Sequence, residues 1–182
     1  MTLKVRPGLP ALRRGSVVRE VERTFRRGAE RSGFRLAHYS IQDDHLHAIV
    51  EASGRDALGR GMKSLAARFA RAVNRALKRK GPVLRERYHL SVLRTPKQVR
   101  NALRYVLLNA TRHLAKRLGT RELRVRVLHD PASSARWFDG WRRGSPPAAP
   151  DPPAVAPAET WLLRLGWRRW GLLDPADVPG AT

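Results

Sequence analysis

The sequence predicts an α+β fold, an antiparallel β-sheet with helices packed on one face. Two stretches, FRLAHYSI and HLHAIVEA, carry the period-two alternation of half-buried strands, with only the polar QDD between them. Two longer stretches, SVVREVERTFRRGAERSG and the one running from Asp56 to Gly81, place apolar residues every three or four positions, which is the helical period. Taken along the chain, the order strand, helix, strand, strand, helix, strand, helix is that of the ferredoxin-like or RRM-like class.

The chain opens on a short extended segment, TLKV. Val17, Val18, Val21 and Phe25 form the apolar stripe of the first helix, with Ser16 placed to cap it and Gly33 to stop it. A hairpin follows. In its second strand His45, His47, Ile49 and Glu51 share one face while Leu46, Ala48, Val50 and Ala52 share the other, so the apolar set belongs against a core. The second helix steps through Leu58, Met62, Leu65, Phe69, Val73 and Leu77 until Gly81-Pro82 ends it. Its other face is basic, with Arg60, Lys63, Arg68, Arg71, Arg75, Lys78, Arg79 and Lys80 and no acid between Gly59 and Gly81.

VLRERYHLSVLR reads as a further strand, and Thr95-Pro96 as a helix opening, a capping side chain followed by proline at the first helical position. That helix is expected to run to about Leu118, burying Val99, Leu103, Val106, Ala110 and Leu114 and presenting Asn101, Tyr105, Asn109 and Arg112 on its polar stripe. ELRVRVLH is a candidate last strand. The organisation is therefore a main domain over 1–144, a proline-rich linker over 145–160 with no capacity to form a core, and a Trp-rich tail over 161–182. Trp161, Trp167 and Trp170 read as packing anchors of that tail.

The 182 residues include no cysteine, which excludes disulfides, thiolate zinc sites and a cysteine nucleophile. No apolar run approaches the ~18 residues of a membrane span, so a cytoplasmic protein is expected. The 37 Lys and Arg against 15 Asp and Glu give a net charge of +22, which favours a polyanionic partner, nucleic acid first. Residues 145–182 carry three arginines against four acids, so the excess lies in the main domain.

Two imidazoles a pleat apart, His45 and His47, either sit in water or converge on a ligand. With an amide or carboxylate oxygen as third ligand they would form an open divalent-metal site suited to gripping a phosphate. Tyr105 lies one helical turn before Asn109. A tyrosine hydroxyl beside a metal-bound phosphate can attack phosphorus and hold one DNA end covalently. On spacing alone, each of these features is equally a surface histidine pair and a tyrosine at the edge of a core.

The combination of H-hydrophobe-H on a strand, a basic helix, RERYHLSVLRTPKQVRNALRYVLLNA and then DPASSA resembles the REP-associated tyrosine transposases, a group of the single-tyrosine HUH transposases. The resemblance runs from about Phe34 to Trp141. It implies a ferredoxin-like sheet, His45, His47 and Asn109 as metal ligands, Mg²⁺ or Mn²⁺ as the metal, and Tyr105 as the nucleophile that forms a 5′-phosphotyrosine. The implied substrate is single-stranded DNA beside a hairpin or repeat, rejoined without ATP, by a monomer or a homodimer. Two departures stand out: the chain begins in or just before the family's first strand, which suggests a shortened opening, and Ala110 replaces the usual proline after the helix asparagine.

On this reading Arg60, Lys63, Arg68, Arg71 and Arg75, with Arg85, Arg87, Arg94, Lys97 and Arg100, track the DNA backbone, and Tyr88 stacks a base. The rival is a domesticated DNA-binding protein that recognises structured repeats without cutting them. A weaker rival is an RNA-binding module on an RRM-like sheet, against which the scarcity of strand aromatics counts.

Overall fold

In the computed structural model of the chain, residues 1–109, 129–143 and 151–175 are described. The fold is α+β. A four-stranded antiparallel sheet has the order β1-β4-β3-β2, with β1 at Thr2–Lys4, β2 at Glu30–Arg31, β3 at Phe34–Ile41 and β4 at His45–Ala52. The helices are α1 (Gly15–Arg26), α2 (Arg55–Ala76), α3 (Pro96–Leu107) and the single turn α4 (Trp161–Arg164).

Alternation along β3 and β4 distributes the core. Leu36, Tyr39, Ile41, Leu46 and Ala48 pack with Val17, Val21 and Phe25 of α1 and Met62, Leu65, Phe69 and Val73 of α2. Ala37 and Ile49, on the opposite face, pack with Val99, Leu103 and Val106 of α3 and with Phe138, Leu163 and Trp167. The two crossover helices thus share one face, as the element order implies, while α3 covers the other. A bulge between Leu36 and His38 is what shifts Tyr39 into phase with the first core.

The expected element ends need four corrections. Ser16 does not cap α1: the helix starts one residue earlier, and Val17 and Val18 donate backbone hydrogen bonds to the Arg14 carbonyl. Gly33 does not end α1 either. It sits at φ +71° in the two-residue turn that joins the short β2 to β3, a conformation glycine adopts without penalty. α2 ends at Ala76, five residues before Gly81. VLRERYHLSVLR is not a continuous strand: it meets the chain's opening residues at the isolated bridges Val5–Leu84 and Thr2–His89, with the Arg6 amide donating to the Val83 carbonyl. Three residues on this segment, Glu86, Arg87 and Tyr88, stand opposite the single Leu3 of β1 between the pairs Lys4/Arg85 and Thr2/His89, so the ladder breaks. The segment still takes the edge position that the fourth strand of a ferredoxin-like sheet occupies.

Thr95 caps α3 as expected: its hydroxyl accepts from the Gln98 amide, and Gln98 Oε1 accepts from the Thr95 amide. The helix ends at Leu107 rather than continuing unbroken, with Leu108 at φ −110° and ψ 12°. Ala110, Arg112, Leu114 and most of ELRVRVLH lie outside the described residues.

The segment at 151–160 is docked rather than a free linker. Ala154 is fully buried, the Ala156 amide donates to the Leu36 carbonyl, and Glu51 accepts from the amides of Glu159 and Thr160. Of the tail tryptophans only Trp167 is an anchor, at 1% exposure; Trp161 and Trp170 are half exposed, with Arg169 and Lys97 respectively over their rings. Two polar pairs tie residues 129–143 to the domain: Arg13 makes a bidentate pair with Asp130, and the buried Glu22 accepts from Tyr39 Oη and Arg136 Nη2.

Two tests follow from this packing. An ideal methyl on Gly61 would lie 2.1 Å from Phe34 Cγ, with the Phe34 Cβ also within 2.7 Å, so the ring cannot simply swing away. Gly61→Ala should cost about 1–3 kcal/mol in denaturant unfolding. His38 packs against Phe138, and burial lowers its pKa from 6.5 to about 4. The unfolded chain therefore binds an extra proton between these values, and stability present above pH 6.5 is lost as pH falls toward 4. His38→Asn should flatten that pH dependence, which spans about 3 kcal/mol at most.

Candidate functional site

The site is built where the N-terminal edge of the sheet meets α3. β1 pairs with β4 in the register Thr2↔His47 and Lys4↔His45, so the period of two sends both histidines toward the α3 side. Their Nε2 atoms face each other at 2.8 Å, with the rings at 78°. The other nitrogen of each ring is also held. His45 Nδ1 lies 2.6 Å from an Asp44 carboxylate oxygen, and His47 Nδ1 lies 2.9 Å from the Thr2 hydroxyl. The hydrogen bond to His45 holds the Asp44 carboxyl below its usual range.

These outer partners decide what the inner nitrogens can do. When His45 donates its Nδ1 proton to Asp44 and His47 donates its own to Thr2, both Nε2 atoms present lone pairs to each other. At 2.8 Å that arrangement needs a cation between them. A proton satisfies it, with one Nε2 donating to the other, and so does a metal. With a first-row ion about 2.1 Å from each nitrogen and the two bonds near a right angle, the nitrogens lie roughly 3 Å apart. The observed spacing thus needs only a small adjustment, and the carboxylate–imidazole arrangement is the usual support for a ligating histidine.

Tyr105, on the last turns of α3, packs edge-on against His47 with ring centroids 4.9 Å apart, and is 36% exposed. Asn109 follows the end of α3. Its side chain is 1% exposed, and neither amide atom has a hydrogen-bond partner among the described residues. A buried amide left in that state has the donor chemistry of a cation ligand. The continuous helix face expected to carry Tyr105 and Asn109 is nevertheless interrupted at Leu108. Among the described residues no three His, Cys, Asp or Glu side chains cluster as a metal site.

A groove of about 750 Å³ opens beside His47 and Tyr105, lined by Ile49, Val99 and Val106 and by the exposed Leu90 and Val92. Its mostly apolar wall offers a surface on which an unpaired base could lie.

The basic set divides. Arg60, Lys63 and Arg71 are exposed on α2, the layer behind the sheet, and are not brought to the histidine pair. Arg85, Arg87 and Arg94 are exposed along the segment that also contributes Leu90 and Val92 to the groove. Four expected contacts are engaged within the protein: Arg68 is buried with Nη2 donating to the Gly28 carbonyl, Arg75 bonds Glu20 and Thr24, Lys97 lies over Trp170, and Tyr88 packs against the first core. Arg100 likewise donates to the Gly171 carbonyl. Asp44 and Thr2 were not anticipated. Asp44 directly precedes the HxH and could have been suspected from that adjacency, whereas Thr2 depends on register.

The chain matches no family model, no curated protein and no solved structure.

If His45 and His47 bind a divalent ion, Asp44→Asn should weaken Mn²⁺ binding about 10- to 100-fold, read by titrating the free-ion electron-spin resonance signal. Unchanged affinity would show that Asp44 does not support a metal ligand.

Proposed function

We propose that this protein cleaves and rejoins single-stranded DNA beside hairpin or repeat elements, in the manner of the HUH single-tyrosine transposases, with Tyr105 as nucleophile. The observation that carries the reading is the convergence of the two Nε2 atoms at 2.8 Å with the Tyr105 ring packed against His47. A metal-binding histidine pair and a hydroxyl nucleophile belong within a few ångströms of one scissile phosphate.

The Tyr105 phenol oxygen attacks phosphorus as its proton leaves, the bond from phosphorus to the 3′ oxygen breaks, and a 3′-hydroxyl and a 5′-phosphotyrosine result. The reverse attack by a 3′-hydroxyl restores the phosphodiester and frees the tyrosine, so no ATP is consumed. His45, His47 and the Asn109 amide are the ligands proposed for Mg²⁺ or Mn²⁺. Bound there, the ion would supply charge stabilisation at the phosphate oxygens. Asp44 and Thr2 orient the imidazoles, and the groove walls accept the flanking unpaired bases.

The remaining attributes belong to the same reading: a cytoplasmic enzyme acting as monomer or homodimer. No helix among the described residues is long and apolar enough to cross a membrane. The location of the α2 basic stripe behind the sheet favours a second reading, a protein that binds structured repeats and does not cut them.

The two are separated by denaturing-gel detection of a covalent adduct with end-labelled single-stranded DNA that carries a hairpin. The enzyme forms an adduct with Mn²⁺ and none with EDTA, and Tyr105→Phe abolishes it while DNA affinity stays within roughly threefold. DNA that is well bound yet never linked would overturn cleavage and leave the binding-only reading.

A further inference from the structure

On the sheet face away from the histidine pair, α1 and α2 enclose a groove of about 410 Å³ lined by Arg23, Thr24, Arg27, Arg31, Arg68, Arg71 and Arg75. No acid lines it. At one end the charge is compensated, because Glu20 pairs with Arg23 and Arg75 and the Thr24 hydroxyl accepts from Arg75. Among the described residues Arg27, Arg31, Arg68 and Arg71 form no ion pair.

Arg68 is the unusual member. Its side chain is 9% exposed, Nη2 donates to the Gly28 carbonyl at 2.7 Å, and Nε and Nη1 have no hydrogen-bond partner. An ideal methyl on Gly28 would stand 1.4 Å from Nη1, so the absence of a side chain there is what lets the guanidinium lie against the backbone. Burial, with Arg31 and Arg71 nearby, lowers the Arg68 pKa, which marks a charge held at a cost. A buried guanidinium with two unused donors, ringed by like charges, lacks only an anion.

We propose that the groove between α1 and α2 is a phosphate-binding site, with Arg68 as its floor and Arg27, Arg31 and Arg71 as its rim, and that the phosphate it holds belongs to a nucleic-acid backbone. Arginine forks match phosphate oxygens, and the +22 chain draws a polyanion toward this face. The nucleic-acid part rests on the binding half of the function proposed above and is independent of cleavage. A strand held here engages the protein across the sheet from Tyr105, so grip and chemistry are separate.

Two arms on the full chain test this. In the first, thermal melting in inorganic phosphate is compared with chloride at equal ionic strength. Phosphate should raise the wild-type Tm by about 3–5 °C at tenfold over its dissociation constant, and Gly28→Ala should lose the shift. In the second, hairpin DNA binding is followed by fluorescence anisotropy. Arg27→Gln with Arg31→Gln and Arg71→Gln should weaken it roughly tenfold or more and lower the salt slope by about 1–2, against a small loss for Arg14→Gln with Arg19→Gln and Arg164→Gln, which removes equal charge. Phosphate stabilisation with equal DNA loss in both triples would keep the phosphate site and overturn the nucleic-acid carrier. No phosphate effect and equal DNA loss would overturn the site altogether. Adduct formation is scored separately, so failure of the cleavage reading leaves these outcomes intact.

Discussion

Alternation along β4 is the constraint on which the rest of the molecule depends. Leu46 and Ala48 enter the core beneath α1 and α2, which obliges His45, His47 and Ile49 to face the other way. A slip of one residue would drive two imidazoles into an apolar core and expose its side chains. The β1 pairing holds the register, and the same pairing delivers the Thr2 hydroxyl to His47. Folding and site geometry are thus set by one ladder.

The histidine pair is also where the electrostatics of the fold are most demanding. With its Nδ1 proton donated to Asp44, His45 would leave Nε2 as a lone pair. His47 is 8% exposed and must meet that lone pair with a proton or with a shared cation. On the opposite face the problem is inverted, since Arg68 presents unused donors among other arginines. On the function and the phosphate site proposed above, a divalent ion at the first face and a phosphate at the second would be complementary, and nucleic acid with a divalent counter-ion would bring both.

Much of this was legible in the sequence where a short-range rule governs. Period two in HLHAIVEA, the Thr95-Pro96 opening and the stripe of α2 each follow from local geometry and stand as read. Features that depend on tertiary pairing were not legible. Arg68 reads as one more residue of a basic stripe, and only the approach of Gly28 turns it inward. Trp161 and Trp170 carry the same apolar signal as Trp167, but only Trp167 meets Phe138. The proline-rich stretch at 151–160 lacks periodicity, yet it gains burial by laying Ala154 on the core and lending its amides to Glu51. The end of α3 at Leu107 likewise has no proline or glycine to announce it.

The central claim is that His45 and His47 share a divalent metal ion through Nε2. The most direct measurement is long-range ¹H–¹⁵N NMR of the histidine rings in the full chain as Mn²⁺ is added and then removed with EDTA. The expected result is that substoichiometric Mn²⁺ broadens the Nε2 resonances of His45 and His47 before those of His38 and His89, and that EDTA restores them. Uniform broadening of all rings, or a His45–His47 pair that keeps its shared-proton pattern at saturating Mn²⁺, would contradict it.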